Sequence, residues 1–345
     1  MAAPLTAVGG VFAVKTQAAV GTFDAPGNTD VINVIGTPSW KTRGAGTGGM
    51  IARADLYTDR GGGQFLTRGK IGWDITFQTE LYLPVIAGSS WTSPLAPLFR
   101  ACMVKVDVGG NDAHLYSTAQ TGVSAGRSNP WDLQPVSMTW QQLDGRVFQA
   151  FDCVGTFKIS ATAGEKVLID WTFKGKWQSI PASGLSVIAA PNYTDQQAPV
   201  IFSGSSLALS LTTGRADSFD LATFEYDAGV TLSDVDDALA TNGYGIATTA
   251  FADYPKLVVD IASLVSQTTW ADAYNVNTYS PAAPGTTALT ITAGSRTMVI
   301  TLRNSRQMVV PEEAEANTMR RQKLTFVGIA TGTGDADQAS EIHFT

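Results

Sequence analysis

The run RGKIGWDITFQTELYL, Arg68 to Leu83, decides how the rest of the chain is read. Ile71, Trp73, Ile75, Phe77 and Leu81 are apolar, while Lys70, Asp74, Thr76, Gln78 and Glu80 take the alternate positions. A period of two sustained over that length predicts an extended strand with one dry face and one wet face, and no helix fits it. Upstream, Ala54 to Tyr57 is short and half apolar, and Thr58, Asp59, Arg60, Gly61, Gly62 and Gly63 follow it. Two strands joined by such a segment predict a long hairpin with a flexible, polar tip, projecting beyond a small sheet. Its glycine-rich part, Gly44 to Gly63, is the arm expected to touch a partner, through Arg53, Asp55, Tyr57, Asp59, Arg60, Gly61, Gly62 and Gly63.

With 345 residues the chain suits two domains of ordinary size. Glycine is abundant at 34 residues, charged residues make up only 15%, and short alternating runs are separated by Gly, Asp, Asn and Pro. That composition belongs to all-β sandwiches and barrels. The formal net charge of −7 is uneven: the first 180 residues hold 15 basic and 13 acidic side chains, the remaining 165 hold 8 and 17. A surface this acidic does not grip nucleic acid through its phosphates, although it lets DNA slide past. Two cysteines, Cys102 and Cys153, are too few for a disulfide framework and form no metal-type pair, so a reducing compartment is expected. Met1 to Gly21 has no basic start, and Lys15 interrupts it before any membrane-spanning length, so neither a signal peptide nor a membrane segment is expected.

In chain order, residues 1 to 40 read as an N-terminal arm and a strand around Val31 to Ile35. After the hairpin, Ser89 to Val104 changes period: Leu95, Leu98, Phe99 and Cys102 fall at helical spacing, with Ser93 as cap and Pro94 at the first helical position. A polar loop, Asn111 to Trp131, is expected next. Three strands then form a meander around Val136 to Trp140, Phe148 to Val154 and Val167 to Phe173, turning at Asp144-Gly145 and Ala163-Gly164. The first β-domain, 1 to 177, ends there, and 178 to 199 has linker composition, with Leu185 to Ile188 as a possible extra strand. The second β-domain, 200 to 345, repeats the plan. Strands at Leu207 to Leu211 and Phe219 to Tyr226 lead to an acidic arm, Asp234 to Tyr244, then a short helix over Asp260 to Ala273. Closing strands follow at Leu289 to Ile291, Met298 to Leu302, Leu324 to Phe326 and Ile342 to Phe344. The repeated order predicts a tandem duplication, each domain carrying one short helix and one long hairpin arm.

Motifs for chemistry are weak. Gly122 to Gly126 match G-x-S-x-G around Ser124, but polar flanks replace the strand and helix that a nucleophile elbow needs, and the chain has only two histidines, His114 and His343. Gly44, Gly46 and Gly49 satisfy G-x-G-x-x-G without a helix behind them. Asp234 and Asp236 begin like a calcium loop, yet Leu239 and Gly245 stand where Gly and Glu are required. Glu312, Glu313 and Glu315 beside Arg320, Arg321 and Lys323 read as a solvated charged turn. No catalytic residue, cofactor or metal is expected, and the protein is read as a non-enzyme.

The Val11 to Gly21 arm, the Arg53 to Leu81 hairpin, the Leu95 to Cys102 helix and the Asp144-Gly145 meander resemble the first part of a tail tube protein, the major tail protein of long-tailed bacteriophages. Pro199 to Leu209, Phe219 to Asp227 and the turn at Asn242, Gly243 and Tyr244 are similar to the second part of that family. The resemblance implies a structural virion protein whose β-sandwich subunits form rings, stacked into a tube through which DNA is ejected. It also implies as partners other copies of the chain, the tape measure protein, and the tail terminator and tail tip proteins, with assembly in the host cytoplasm. Contacts between rings would fall to the arm residues named above, and Asp234, Asp236 and Asp237 are the candidates for an acidic lumen. Because such rings generally hold six equivalent β-domains, two per chain imply a trimer with pseudo-sixfold symmetry. The rival reading is a non-catalytic β-sandwich that binds sugar or a surface. Its sign would be aromatic residues in loops, whereas Trp73, Trp140 and Trp171 sit in alternating strands.

Overall fold

The computed structural model describes residues 9–43, 50–53, 65–68, 71–87, 90–102, 104–109, 112–118, 134–143, 145–178, 188–193, 198–203, 207–210, 221–234, 248–251, 254–262, 285–307, 312–316, 319–329 and 338–345. In the first half the strands are β1 (Gly10–Thr16), β2 (Val31–Ile32), β3 (Ile35–Arg43), β4 (Met50–Arg53), β5 (Phe65–Arg68), β6 (Gly72–Glu80), β7 (Val85–Ala87), β8 (Ser90–Thr92), β9 (Val104–Gly109), β10 (Asp112–Thr118), β11 (Val136–Gln142), β12 (Val147–Thr162) and β13 (Leu168–Trp177). The second half holds β14 (Leu207–Ser210), β15 (Leu221–Asp227), β16 (Val230–Ser233), β17 (Thr248–Phe251), β18 (Lys256–Ala262), β19 (Gly285–Ala293), β20 (Arg296–Gln307), β21 (Glu312–Ala316), β22 (Met319–Val327) and β23 (Gln338–Phe344). One helix, α1 (Ala96–Arg100), occurs among the described residues.

The protein is mainly β, as the alternation requires. In β6, Trp73, Ile75 and Phe77 are buried, as the period of two predicts. Two antiparallel layers follow from the pairings. In the first, β3, β6, β13 and β12 lie side by side. The other edge of β12 changes neighbour along its length: residues 147–153 pair with β11, which carries β1 and β2, and residues 158–162 pair with β15, which carries β18, β22 and β21. The second layer runs β9, β10, β23, β20, β19, β14. The far end of β20 crosses to pair with β22, so the layers join into one seventeen-stranded network. Strands of the two halves meet at β12–β15 and at β10–β23, and one contiguous core takes in residues from Phe12 to Phe344. Phe99 of α1 ties the layers together, packing on Phe157 and Trp171 of the first layer, each 5.1 Å between ring centroids, and on Phe344 of the second at 6.5 Å.

Several expectations change. Gly10–Thr16 is a strand paired on both edges rather than an arm, because Phe12 and Val14 have a core to enter. The helix expected over Ser89–Val104 shrinks to Ala96–Arg100 between two strands, Ser90–Thr92 and Val104–Gly109; its N-cap is Leu95 and not Ser93, whose Oγ accepts from the Leu95 N–H at 3.2 Å, and Pro94 lies before the helix. Within the expected polar loop Asn111–Trp131, Asp112–Thr118 is a strand carrying the buried Ala113 and Leu115 on alternate positions. The second helix is overturned at its start, since Asp260 to Ala262 end strand β18, paired on both sides, while 263–273 lie outside the described residues. The charged turn is a hairpin that opposes Glu312 to Lys323 and Glu315 to Arg320. Ile188 is not in a strand, and 185–187 lie outside the description. Gln149 and Asp152, polar residues of β12, are buried where that strand bulges.

That bulge places a polar group inside the core. Asp152 adopts φ 50°, a left-handed conformation that costs a non-glycine residue energy unless its surroundings hold it. Here they do. Its carboxylate accepts from Gly21 N–H at 2.7 Å and Gln17 Nε2 at 3.2 Å and meets Lys176 Nζ at 2.8 Å, while its own N–H donates to Gln17 Oε1 at 2.8 Å. The loop after β1 is thereby fixed to the middle of the sheet.

Candidate functional site

The strongest candidate surface is the root of the hairpin arm and the open edges beside it. β3 and β6 pair antiparallel up to Arg43 opposite Gly72, and just beyond them β4 pairs with β5, Met50 opposite Arg68 and Arg53 opposite Phe65. One hairpin thus runs out of the first layer. Its root is an aromatic cluster: Trp40 and Trp73 meet edge to face at 5.5 Å, and Phe148 of β12 lies 6.0 Å from Trp40 and 5.8 Å from Trp73. Geometry of this kind holds the hairpin rigid where it leaves the sheet. Gly72 is required there, since a Cβ would stand 2.7 Å from Arg43 Nη2 and 3.0 Å from the Gly175 carbonyl oxygen.

Charge closes over the root. Arg43, whose side chain is 8% exposed, donates to Asp234 through Nη1 and to the Gly175 carbonyl through Nη2 at 3.2 Å. Lys174 Nζ reaches the same Asp234 oxygen at 3.1 Å and Asp74 at 3.6 Å. Asp234 follows β16, which pairs with β17 as a second hairpin, so a carboxylate from the second half neutralises the base of the first arm. Farther along the outer face of the same layer the signs alternate. Lys166 pairs with Glu80, and Gln78 Nε2 donates to Asp170 at 2.9 Å. Lys158 sits 2.7 Å from Asp227 and 3.6 Å from Glu225; the hydrogen bond to Asp227 pushes the Lys158 ammonium above its usual range. A cleft of about 320 Å³ opens on this face between Ser160, Glu165, Lys166, Thr223, Glu225 and Lys323.

Of the residues singled out from sequence, Arg53 lies on β4, and Asp55, Tyr57, Asp59, Arg60, Gly61, Gly62 and Gly63 lie outside the described residues. Ala54 to Tyr57, expected as a strand, lies there too, and the strand seen just before it is Met50–Arg53. Asp234 is 36% exposed and held by two cations; Asp236 and Asp237 are outside the description, as are Ser124 and the Gly44, Gly46, Gly49 motif. Reading the sequence missed Arg43 and Lys174 as partners of Asp234. No local signal carries that contact, because Arg43 and Asp234 are 191 positions apart.

Open edges complete the surface. Among the described residues β3 pairs only with β6, β21 only with β22 and β2 only with β1, so the first layer ends on β3 at one side and, past the branch at β12, on β21 and β2 at the other. Pro38 lies in β3 at a register shift, a place where a strand tolerates a missing N–H. Trp73, Trp140 and Trp171 are all buried, leaving none of them to line a sugar-binding surface. Cys102 and Cys153 are buried, and burial pushes both thiols well above their ordinary range. Among the described residues no three His, Cys, Asp or Glu side chains converge as metal ligands. Comparison of the chain with protein-family models and with curated proteins finds no match.

Proposed function

We propose that the protein is a self-associating structural subunit of a phage tail tube, a ring former whose rings stack into a channel for DNA. The observation that carries this reading is the first layer. Strands of the first half and strands of the second half join edge to edge at β12–β15, and the branch of the sheet that passes through this join runs from β3 at one end to β21 at the other. Unpaired strand edges seek partners, and pairing between two different edges of identical copies closes into a ring when the rotation allows. The edges also differ in charge along their sequences: β3 carries the exposed Lys41, and β21 carries Glu312, Glu313 and Glu315. The β12–β15 join within one chain then serves as the pattern for the β21–β3 join between chains. Two tandem tail-tube-type units per chain, 1–177 and 200–345 with 178–199 between them, make that ring a trimer with pseudo-sixfold symmetry.

The arm from β4 and β5 reaches the next ring. Its glycine-rich tip is entropically costly to order unless a partner compensates. The acidic second half faces the lumen in part, where repulsion keeps a duplex centred and moving. The partners are further copies, the tape measure protein, and the terminator and tip proteins, in the virion and, during assembly, the host cytoplasm. Negative-stain microscopy and native mass measurement of purified protein test this. Rings of three chains and stacked tubes are expected, and deletion of Thr58 to Gly63 leaves a folded subunit without tubes. Monomers at all concentrations overturn the reading, and six chains per ring overturn the duplication argument.

A further inference from the structure

The cleft of about 320 Å³ at the β12–β15 join lies at the end of the first layer opposite the arm. β6 leaves the arm root at Gly72 and finishes at Glu80, which stands opposite Leu168, the first residue of β13. Thr162, the last residue of β12, is opposite Thr223 of β15, and Leu168, Thr162 and Thr223 all line the cleft. Charged side chains surround it: Glu165 and Lys166 between β12 and β13, Glu225 on β15 and Lys323 on β22. Lys166 is engaged by Glu80, and Glu225 by Lys158 at 3.6 Å. Glu165 and Lys323 are exposed, and among the described residues neither has an ion-pair partner. The cleft therefore offers one carboxylate and one ammonium still to be matched.

We propose that this cleft is the socket for the hairpin arm of a second copy in the next ring, with Arg60 seated against Glu165 and Asp59 against Lys323. The inference rests on the stacked-ring reading and names where the arm lands. Position supports it first. The arm leaves one end of the layer and the cleft opens at the other, so copies stacked end to end along the strands bring the two together without turning either. Reach supports it too. The chain between Arg43 and Gly72 can form a hairpin of about 40 Å at roughly 3.3 Å per residue, longer than the roughly 30 Å of β6, and the cleft lies beside the end that the next copy presents. Charge selects the occupant. Within the tip segment Thr58 to Gly63, Asp59 and Arg60 are the charged residues, adjacent and of opposite sign, with three glycines behind them that let backbone approach closely. Opposite charges on both sides also fix the way the tip enters, because a like charge placed opposite is costly.

The test uses the full chain and charge reversal, read by negative-stain microscopy and sedimentation. Both cleft residues are exposed, so Glu165→Lys and Lys323→Asp are expected to fold and to form single rings as the wild type does. Each is expected to lower the protein found in tubes by at least about tenfold, as is Arg60→Glu in the arm. The decisive variant is R60E/E165K, which restores opposite charges and is expected to recover tubes; D59K/K323D repeats the exchange at the other pair. Normal tubes from E165K and K323D, or no recovery in either double variant, overturn the socket and leave the stacked ring standing. A wild type that forms no rings overturns the tail tube reading, and the socket with it.

Discussion

Lys174 and Lys176 stand two residues apart on the same strand, and each neutralises an aspartate, yet the two pairs do different things. Lys176 meets Asp152 inside the sheet, with side chains 10% and 0% exposed, and Asp152 also holds Gln17 and Gly21. Lys174 meets Asp234 at the surface, with side chains 21% and 36% exposed, and shares that carboxylate with Arg43. The inner pair is surrounded by protein, so removing one partner leaves a charge that water cannot reach. Water screens the outer pair, and its loss changes where a hairpin rests more than whether the chain folds. Between them lies Gly175, where a Cβ would stand 2.4 Å from Cys153 Sγ, so the contrast is kept by close packing of strand on strand.

The contrast breaks most sharply at Asp152. Asp152→Ala is expected to destabilise the fold by about 3–5 kcal/mol, read from the urea midpoint, since the Lys176 ammonium stays buried without its partner. A loss below about 1 kcal/mol would mean that water reaches the bulge, and the two pairs would then be of one kind.

A neutral buried pair sharpens it. Tyr226 is buried and its hydroxyl lies 2.7 Å from Ser340 Oγ; burial is the main cause that pushes the phenol up to about 12 from 10.0. The folded state therefore keeps this proton more tightly than the unfolded chain does. The stability it contributes is complete below pH 10 and is lost as pH rises towards 12, a difference of up to about 3 kcal/mol. Tyr226→Phe should flatten the pH dependence of stability across that window, measured by denaturation at a series of pH values. An unchanged slope would show that Tyr226 ionises as readily when folded.

Packing comes next in size. Gly175→Ala is expected to cost about 1–3 kcal/mol through the clash with Cys153, seen as a lower melting temperature at unchanged net charge. The smallest effect is at the outer pair: Asp234→Asn should change stability by no more than about 1 kcal/mol. The same substitution should raise hydrogen exchange at the β16–β17 hairpin, and 0.5 M salt should imitate it in the wild type, because screening weakens an exposed pair. Exchange that responds to neither would mean that packing, and not Asp234, holds the hairpin.

How much of this could be read in advance depends on the kind of residue. The strands at Trp73 to Phe77, Val136 to Trp140, Val167 to Phe173, Leu289 to Ile291 and Met298 to Leu302 follow the period of two, and the structure has strands at each. The expected helix over Asp260 to Ala273 failed at its start for a physical reason. Ile261 fits a helical stripe, but Leu257, Val259 and Ile261 also fit a strand face, and β15 and β22 are there to pair with it on either side. Asp112 to Thr118 looked like loop because only Ala113 and Leu115 are apolar, and their burial depends on the strands that flank them. At the candidate surface the strand Gly72–Glu80 was legible from alternation, but its partner Ile35–Arg43 was not, nor was the Arg43–Asp234 contact, since an ion pair across 191 positions leaves no trace in spacing.

By itself, then, the order of residues determined the β class, the dry and wet faces of strands such as β6 and β13, and the turns at Gly145 and Gly164 with φ 86° and 82°. These are local matters, settled by side-chain period and by the few conformations a backbone allows. Only the tertiary structure decided which strands lie side by side, that β12 changes neighbour along its length, that Asp152 is inside and Asp234 outside, and that β10 of the first half pairs with β23 of the second. Each of these is a pairing between distant segments, chosen by which edges and faces remain once the whole core has closed.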